Sequence, residues 1–276
     1  MKKIFVLILA LFMTLMFLGG CSQKQAENIL RVGMECAYAP YNWTQQTDVN
    51  GAVLIKGSSD YAYGYDVMMA KYLADKLGYK LEVHKMDWDS LPIAVQSGII
   101  DCAIAGQSIT DERKMTVDFS TPYYYASIVC LVKADSTFAA ATGISGLNGA
   151  VCTSQQNTVW YDVCLPQIES ANILPAMDSA PAMLVSLTSG KCDLVVTDMP
   201  TAMAAVAVYP ELKLLDFSGS PDGFLVSEQE INIGVSVKKG NADLLNKLNG
   251  ALAGLTTADF EKMMNEAIRV QPLATE

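Results

Sequence analysis

The sequence predicts an α/β fold of two Rossmann-like lobes that are joined by a two-strand hinge and enclose a ligand in the cleft between them. Three observations support this prediction. Strands and amphipathic helices alternate along the chain, as in sheets that helices cover on both faces. One helix–strand unit recurs 92 positions later, which favours two lobes of similar build. The length of 276 residues is enough for two domains of roughly 100–150 residues each.

The first half of the chain shows the alternation most clearly. A helix over 66–77 is predicted because apolar residues recur every four positions and Gly78 follows the last of them. Ser90 is expected to cap a second helix, which ends at Gly98. The alternation predicts that the strands around these helices run parallel, so that a ligand binds beyond their carboxyl ends. The predicted strands are 29–34, 79–83 and 101–105.

The repeated unit consists of a capped helix, a Ser-Gly stop, an aspartate and a short buried strand. Its first copy runs from Ser90 to Gly106, and its second from Ser179 to Asp198. In each copy the strand ends five residues after the aspartate. The two strand ends, at Gly106 and Asp198, are therefore expected to lie at equivalent places in the two lobes.

The residues at these strand ends suggest a site for a zwitterion. After the first strand, Thr110 is expected to cap a helix with Arg113 in its first turn, where a cation is unfavourable against the helix dipole. Either the acidic neighbours of Arg113 neutralise it at the surface, or its guanidinium and the backbone N–H groups grip a carboxylate. At the second strand end, Asp198 either binds an ammonium group or caps the next helix. Facing carboxylate and ammonium sites would fit the head group of a free α-amino acid.

The N-terminus has the features of a bacterial lipoprotein signal peptide. Two lysines precede an apolar run over 4–18, and these 15 residues are fewer than the roughly 20 that a membrane-spanning helix needs. The run ends in Leu-Gly-Gly-Cys, which resembles the motif that is cleaved before a lipid-modified cysteine. We therefore expect a signal peptide over 1–20 and a lipid anchor on Cys21, with 21–28 as the anchored tether. An ordinary secretory signal with an incidental cysteine is the alternative.

Composition argues against nucleic acid, metals and cofactors. The formal net charge is −10, and loss of the signal peptide with its two lysines would change it to −12, so the chain repels nucleic acid. The single histidine, His84, and the lack of a C-x-x-C pair make a zinc site unexpected. Six cysteines follow Cys21. Buried free thiols are favoured for them, while pairing of Cys152 with Cys164 stays open.

Four stretches carry a resemblance to a known family. They read RVGMECAYAPYNW, GYDVMMAKYLADKLGYKLEV, WDSLPIAVQSGIIDCAIAGQSITDERKMTVDFSTPYY and GKCDLVVTD. The third is the most specific, because it combines an S-x-T-x-x-R step with a D-F-S-x-P-Y-Y step. From Leu30 to about Ile268 the chain resembles the extracellular solute-binding proteins for polar amino acids, which have the type II periplasmic-binding fold.

The resemblance implies a function, partners and a location. A protein of this family binds a free L-amino acid outside the cell as a monomer, without catalysis or cofactor, and delivers it to the permease subunits of an ABC importer. The chain is then expected at the extracytoplasmic face of the cell membrane, held by its lipid anchor. An amino-acid sensor or adhesive surface lipoprotein with the same pocket is one alternative. A dehydratase-like enzyme on the same fold is less expected, because the repeat supplies no acid–base pair beyond Asp198.

The resemblance also implies which residues hold the ligand's head group. Arg113 matches the arginine that pairs with the α-carboxylate, and Ser108 the position that assists it. Gly106 matches the backbone position that receives the ammonium group, and Asp198 its acidic partner. In the second lobe Thr158 is expected at the carboxylate, although Asn157 stands where the family usually has a glycine. Asparagine tolerates the left-handed conformation that this glycine would adopt.

The side-chain pocket follows from the same resemblance. Tyr38 and Trp88 match the positions that sandwich the ligand's side chain. Glu35 falls where the family often has an acid near the far end of the pocket. Together these residues favour a polar amino acid, and the sequence leaves its identity open.

The resemblance divides the chain into lobe 1, over 29–125 plus 226–276, and lobe 2, over 126–225. Strands are expected to cross between the lobes near 124–128 and 224–231. Bending of these crossings would close the cleft over the ligand. The long polar stretch over 44–64 departs from the usual short loop. It is either a hairpin near the cleft mouth or a surface insertion without a role.

Overall fold

The structure, a computed structural model, describes residues 28–272, so Cys21 and the signal peptide lie outside the described residues. The helices are α1 (Tyr65–Leu77), α2 (Leu91–Ser97), α3 (Asp111–Lys114), α4 (Ala180–Thr188), α5 (Met199–Val208), α6 (Glu228–Ile231), α7 (Ala242–Leu252) and α8 (Thr257–Val270). The strands are β1 (Ile29–Met34), β2 (Ala37–Tyr38), β3 (Asn42–Gln45), β4 (Val53–Leu54), β5 (Tyr61–Tyr63), β6 (Lys80–Lys85), β7 (Cys102–Ala103), β8 (Val117–Phe119), β9 (Tyr124–Tyr125), β10 (Ile128–Lys133), β11 (Val151–Thr153), β12 (Asn172–Ile173), β13 (Leu194–Asp198), β14 (Leu212–Leu215), β15 (Asn232–Ile233) and β16 (Ser236–Lys238).

Two five-stranded sheets with the same internal plan form the two lobes. Lobe 1 is built on the strand order β6-β1-β7-β16-β8, and lobe 2 on the order β12-β11-β13-β10-β14. The middle strands, β7 and β13, are the two copies of the sequence repeat. Each pairs in parallel with the strand on one side (β1 or β11) and antiparallel with the strand on the other (β16 or β10). The prediction of two α/β lobes of similar build is therefore confirmed.

The strands predicted around the first helices, β1, β6 and β7, run parallel as expected, but neither sheet is parallel throughout. The antiparallel strands β10 and β16 are the ones by which the chain enters each lobe after crossing from the other. A chain that arrives from the opposite lobe enters the sheet at the carboxyl ends of the repeat strands. It therefore runs antiparallel to them.

The two crossings pair with each other. In a short antiparallel ribbon Tyr124 lies opposite Ile233 and Tyr125 opposite Asn232. The first crossing agrees with the predicted range of 124–128. The second was predicted too early, because α6 occupies the end of its predicted range. Ser227 caps α6 in a capping box, and the S-x-x-E pattern in the sequence would have identified this helix.

The repeated helices begin in different ways. Ser179 caps α4 through its side chain, which accepts a hydrogen bond from the backbone of Ala182. Among the described residues, Ser90 makes no such bond, so its predicted capping role is wrong. A turn of 3₁₀ helix over Trp88–Ser90 runs directly into α2, and Ser90 has helical backbone angles in which its side chain does not reach the first turn. Gly98 ends α2 in the left-handed conformation, as predicted.

The stretch over 44–64 contributes strands to a small sheet in lobe 1. Its order is β2-β3-β5-β4, and Ile55 bridges to Val83 at the edge of the large sheet. Neither of the two cleft cavities described below is lined by residues 44–64. The antiparallel pairing of β4 with β5 confirms the expected hairpin, while its place near the cleft mouth stays a prediction. The stretch also pairs with β3, which in turn pairs with β2, the strand that carries Tyr38.

The cores of both lobes contain thiols. All six cysteines of the described residues are free and buried, in agreement with the favoured interpretation of the sequence. Among residues 28–272, no cluster of three or more histidine, cysteine or acidic side chains is placed to hold a metal ion. Within the same residues, no helix is both long and apolar enough to cross a membrane.

Candidate functional site

A small cavity of about 20 Å³ lies between the lobes. Seven of the eight ligand-binding residues predicted from the sequence line it, and the eighth, Asp198, is hydrogen-bonded to one of them. Lobe 1 supplies Glu35, Tyr38, Trp88, Gly106, Ser108 and Arg113, and lobe 2 supplies Gln155, Thr158, Val159 and Trp160. Predicted residues that are up to 163 positions apart in the chain thus meet at one place.

Arg113 is positioned by α3 and points across the cleft. Thr110 caps this short helix, as predicted, by accepting a hydrogen bond from the backbone of Arg113. The guanidinium donates to the carbonyl of Ser108 (3.0 Å) and to the carbonyl of Asn157 in lobe 2 (2.7 Å). It lies 5.3 Å from the centre of the Trp88 ring, a cation–π arrangement.

The charge of Arg113 has no acidic partner in the described part of the chain. Within residues 28–272 no ion pair reaches its guanidinium. Desolvation lowers the pKa of Arg113 to about 10, so the group remains charged at neutral pH. Glu112 and Asp162 oppose this lowering of the pKa through their charges, but neither forms an ion pair with the guanidinium. A partly buried guanidinium of this kind is suited to a carboxylate, which it can bind with two parallel hydrogen bonds.

Asp198 caps the next helix, which is one of the two roles that its sequence position suggested. Its Oδ1 accepts from the backbone of Thr201 (2.8 Å) and so caps α5. Its Oδ2 accepts from the hydroxyl of Tyr38 in the opposite lobe. The side chain is 2% exposed, and burial raises its pKa to about 6. One oxygen holds a helix while the other faces the cleft, where it can accept a hydrogen bond from an ammonium group.

Gly106 occupies a position that only glycine fits. Its φ is +62°, and a Cβ atom would lie 2.6 Å from Cε1 of Tyr38. Its backbone N–H donates to the hydroxyl of Tyr123 (3.2 Å). The absence of a side chain brings the backbone of lobe 1 directly against the Tyr38 ring, which lines the cavity.

One end of the cavity combines an acid, an amide and aromatic rings. Glu35 is 6% exposed and accepts from Nε2 of Gln155 in lobe 2 (3.3 Å). Burial raises the pKa of Glu35 to about 7, although the hydrogen bond from Gln155 opposes this shift. The ring of Tyr38 stacks on Tyr41 (centroids 4.7 Å apart) and lies 6.2 Å from that of Trp160. This end can therefore both donate and accept hydrogen bonds.

The turn around Asn157 confirms one prediction and adds contacts that the sequence analysis missed. Asn157 has φ +54°, the left-handed conformation expected of it. Its side chain and that of Gln156 each donate to Asp89 in lobe 1 at 2.7 Å. The hydroxyl of Thr158 donates to the carbonyl of Gln155 (2.7 Å). Thr158 thus lies on the cavity wall with its hydroxyl engaged within its own turn.

The structure is therefore a closed form. Five hydrogen bonds cross the cleft, and the small cavity has room for about one water molecule. The bonds run from Tyr38 to Asp198, from Gln155 to Glu35, from Gln156 and Asn157 to Asp89, and from Arg113 to Asn157.

A larger cavity of about 580 Å³ forms the outer part of the same cleft. It shares Trp88, Arg113, Thr158 and Val159 with the small cavity, so these residues stand between an inner and an outer compartment. The acidic residues that line it are Asp89, Asp111, Glu112, Asp162 and Glu230.

Sequence reasoning missed Gln155 and Trp160 as cavity residues. Gln155 lies two residues past β11, so the rule that ligands bind beyond the ends of parallel strands would have identified it. Trp160 lies two residues after Thr158 and could have been proposed as an aromatic wall. Asp89 had no comparable signal, because its importance comes only from the opposite lobe.

Comparison with known proteins agrees with this geometry. Residues 30–267 match the family model described as bacterial extracellular solute-binding proteins, family 3. The L-cystine-binding protein TcyJ of Escherichia coli (strain K12) is 29% identical over 237 residues, which cover 85% of this chain and 80% of the relative. A probable histidine-binding protein of Campylobacter jejuni is 28% identical over 236 residues, covering 81% of this chain and 83% of the relative.

A solved structure shows the same fold. It is an amino acid ABC transporter substrate-binding protein from Streptococcus pneumoniae, crystallised with L-arginine. Its TM-score is 0.75 at 27% identity, over 88% of this chain and 94% of that chain. Since the family model spans most of the chain, the protein belongs to the bacterial extracellular solute-binding proteins of family 3.

Proposed function

We propose that this chain binds a free L-amino acid in the interlobe cleft and delivers it to the permease subunits of an ABC importer, without catalysing a reaction. The observation that carries the proposal is the pair of opposite charges at one cavity. Arg113 of lobe 1 lacks an acidic partner among residues 28–272, and Asp198 of lobe 2 directs one carboxylate oxygen into the cleft. The cystine-, histidine- and arginine-binding proteins that resemble this chain support the same class of ligand.

In the proposed complex, the two lobes hold opposite ends of the ligand's head group. Arg113 and Ser108 bind the α-carboxylate, with Thr158 closing on it from lobe 2. The carbonyl of Gly106 and Oδ2 of Asp198 bind the ammonium group. Since Tyr38 donates to that oxygen in the closed form, the ligand's ammonium group replaces or shares this hydrogen bond.

Opening of the lobes is required for binding. A cavity of about 20 Å³ is far smaller than an amino acid. The paired crossings, β9 and β15, are short enough to absorb such a motion in a few backbone angles. We place the lobe boundaries at 29–125 plus 226–276 and at 126–225. The closed, liganded form is then the one that the permease recognises.

The side-chain pocket favours a polar amino acid. Tyr38, Trp88 and Trp160 provide flat apolar walls, while Glu35 and Gln155 provide polar groups. Because the pKa of Glu35 is about 7, this carboxyl group can accept a hydrogen bond from a cationic end when ionised and donate one to an amide oxygen when protonated.

A ligand screen tests the proposal directly. The purified domain should be melted with each of the twenty amino acids, cystine and ornithine. A ligand at about 100 times its dissociation constant stabilises by about 2.7 kcal/mol, which raises the melting temperature by several degrees. The α-hydroxy and desamino analogues of the best ligand should bind much more weakly. If no amino acid shifts the melting temperature, the proposal is wrong.

We also propose that the mature protein is a monomer held at the extracytoplasmic membrane face by lipid on Cys21. Replacing Cys21 by Ala should leave unprocessed precursor or release the protein from the membrane fraction. Normal processing and retention of this variant would contradict the anchor and leave the proposal on ligand binding intact.

A further inference from the structure

A buried carboxylate that takes no part in the proposed contacts lies beneath the cleft. Asp66, in the first turn of α1, accepts from the hydroxyl of Tyr123 (2.7 Å) and from Nδ2 of Asn42 (2.8 Å). All three side chains are completely buried. Within residues 28–272 no ion pair reaches Asp66, and it lines neither cleft cavity. In the proposed complex it makes no contact with the ligand.

Each of the two residues that donate to Asp66 also accepts a hydrogen bond from the backbone of a loop beside the cleft. The hydroxyl of Tyr123 accepts from the backbone N–H of Gly106 (3.2 Å). The side-chain carbonyl of Asn42 accepts from the backbone N–H of Cys36 (2.7 Å), which lies next to Glu35. Gly106 and Cys36 both have positive φ values, +62° and +52°. Such conformations are uncommon and persist where surrounding contacts hold them.

The chemistry of this network requires a carboxylate at position 66. A carboxylate has acceptor sites on both oxygens and can receive both donors at once. An amide would present its NH₂ group to one of them, and Asn42 cannot reverse its own amide because its oxygen already holds Cys36. The helix N-terminus favours the negative charge. Burial raises the pKa of Asp66 to about 6, and hydrogen bonds from Tyr123, from Asn42 and from the backbone N–H of Gly106 oppose a larger rise.

We propose that Asp66 is a positioning residue for ligand recognition, which acts through Tyr123 to orient the backbone of Gly106 toward the ligand's ammonium group. The inference rests on the proposed function, in which the carbonyl of Gly106 receives that group. The hydroxyl of Tyr123 fixes the peptide that precedes Gly106, and the ring of Tyr38 lies against its α-carbon, so the carbonyl of Gly106 extends from a backbone that is held on two sides. Asp66 thus contributes to recognition of the α-ammonium group without contacting it.

The test compares two conservative variants of neighbouring buried tyrosines. Tyr123→Phe removes the hydroxyl that bridges Asp66 and Gly106, and leaves only the direct approach of the Gly106 N–H to the carboxylate. Tyr65→Phe is the matched control, because its hydroxyl is equally buried and donates to the carbonyl of Tyr123 without touching Gly106. Both variants lose one buried hydrogen bond, so both should melt at lower temperature than the wild type.

The decisive quantity is the affinity ratio between an amino acid and the same molecule without its α-amino group. The probes are the tightest binder among L-arginine, L-histidine, L-glutamine and L-cystine, and its desamino analogue, measured by calorimetry. Tyr123→Phe should reduce the ratio by about tenfold, the value of one buried hydrogen bond, and Tyr65→Phe should leave it unchanged. This readout separates a role in recognition from a role in stability alone, because a loss of stability weakens both probes equally.

Each result has one meaning. An unchanged ratio in Tyr123→Phe, with clear binding and discrimination by the wild type, overturns this inference and leaves the proposed function standing. A wild type that binds none of the amino acids overturns the proposed function and the inference with it. If Tyr123→Phe does not fold, the same ratio in Asp66→Asn decides, with the same expected loss.

Discussion

The two copies of the repeat share a scaffold and differ in what they place at its end. In lobe 1 the strand β7 leads to Gly106, where the backbone itself approaches the cleft, and then to Arg113. In lobe 2 the equivalent strand β13 ends at Asp198, whose carboxylate caps α5 and reaches Tyr38. One architecture thus carries a cation on one side of the cleft and an anion on the other. In the proposed function, a few residues beyond the strand ends turn this repeated α/β unit into a site for a zwitterion.

Of the variants that test this difference between the lobes, removal of Arg113 should reduce the ligand affinity most. Loss of one member of a buried charge pair costs about 2–5 kcal/mol, or roughly 30- to several-thousand-fold in affinity. Arg113→Ala should weaken amino-acid binding by that amount in calorimetry, and Arg113→Lys should recover only part of it, because lysine cannot form two parallel bonds. Arg31→Ala is the matched control, since Arg31 on β1 of the same lobe pairs with Asp101 and lines neither cleft cavity.

A surface role for Arg113 predicts a different result. Exposed ion pairs contribute about 1 kcal/mol or less. If Arg113→Ala changes the affinity by no more than that, and no more than Arg31→Ala does, then Arg113 is not the group in lobe 1 that binds the ligand's carboxylate.

Neutralising Asp198 should have the next largest effect. Asp198→Asn is preferred to alanine, because asparagine is also a good helix cap and keeps an oxygen for Thr201. Loss of a hydrogen bond to a charged group costs about 1.5–3 kcal/mol, so affinity should fall roughly 10- to 150-fold. The melting temperature of the ligand-free variant should change little.

Alanine at Asp198 should behave differently from asparagine. It also removes the cap of α5, which costs about 0.5–2 kcal/mol of stability. A large loss of stability in Asp198→Asn, or full affinity in both variants, would show that the lobe 2 strand end serves the fold and not the ligand.

Two glycines of lobe 1 separate backbone strain from crowding of the site. Gly98 and Gly106 both have positive φ, but a Cβ atom at Gly98 meets nothing within 4 Å, whereas at Gly106 it would strike the ring of Tyr38. Gly98→Ala should cost about 1–2 kcal/mol of stability and leave affinity unchanged. Gly106→Ala should cost at least as much stability and also reduce affinity by about tenfold, measured by the same calorimetry. Equal affinities in the two variants would contradict a close role for Gly106.

Much of the fold and of the site could be predicted because both follow from local signals. The sequence predicts Gly98 as a helix end, Thr110 as a cap and Asp198 as a strand end, each from its immediate neighbours, whereas the strand expected to reach Gly106 ends at Ala103. These signals depend on backbone geometry within a few residues, so they do not need the tertiary structure. The predicted capping role of Ser90 is wrong for a local reason too, because the 3₁₀ turn that includes Ser90 gives it helical backbone angles.

Contacts between the lobes could not be predicted in the same way. Tyr38 and Asp198 are 160 residues apart in the chain, and Asp89 meets Asn157 from the opposite lobe. The antiparallel direction of β10 and β16 likewise follows from the path of the chain between the lobes. The periodicity of apolar residues predicts that a strand forms, but it does not predict the direction of that strand in the sheet. Asp66 was expected at the start of a helix, but its link to the cleft runs through Tyr123, 57 residues away.

The smallest expected effect, a shift of a few degrees in melting temperature, concerns the buried acids on the two sides of the cleft. Burial raises the pKa of Glu35 in lobe 1 to about 7 and that of Asp198 in lobe 2 to about 6. Between the unfolded pKa, near 4.5 for Glu35, and the folded value, the folded protein holds a proton that the unfolded chain lacks. Stability of the ligand-free protein should therefore rise as pH falls from 8 to 5.5, and it is lost as pH rises through these folded values. Glu35→Gln should flatten part of this rise, while Glu112→Gln, at an exposed position of the same lobe, should not.

Ligand affinity should move the opposite way, because protonation of Asp198 below about pH 6 removes the charge that attracts the ammonium group. Melting curves with and without amino acid at each pH would show both trends. A ligand-free melting temperature that stays flat or falls over this range, in wild type and Glu35→Gln alike, would mean that these carboxyl groups titrate as if exposed to solvent.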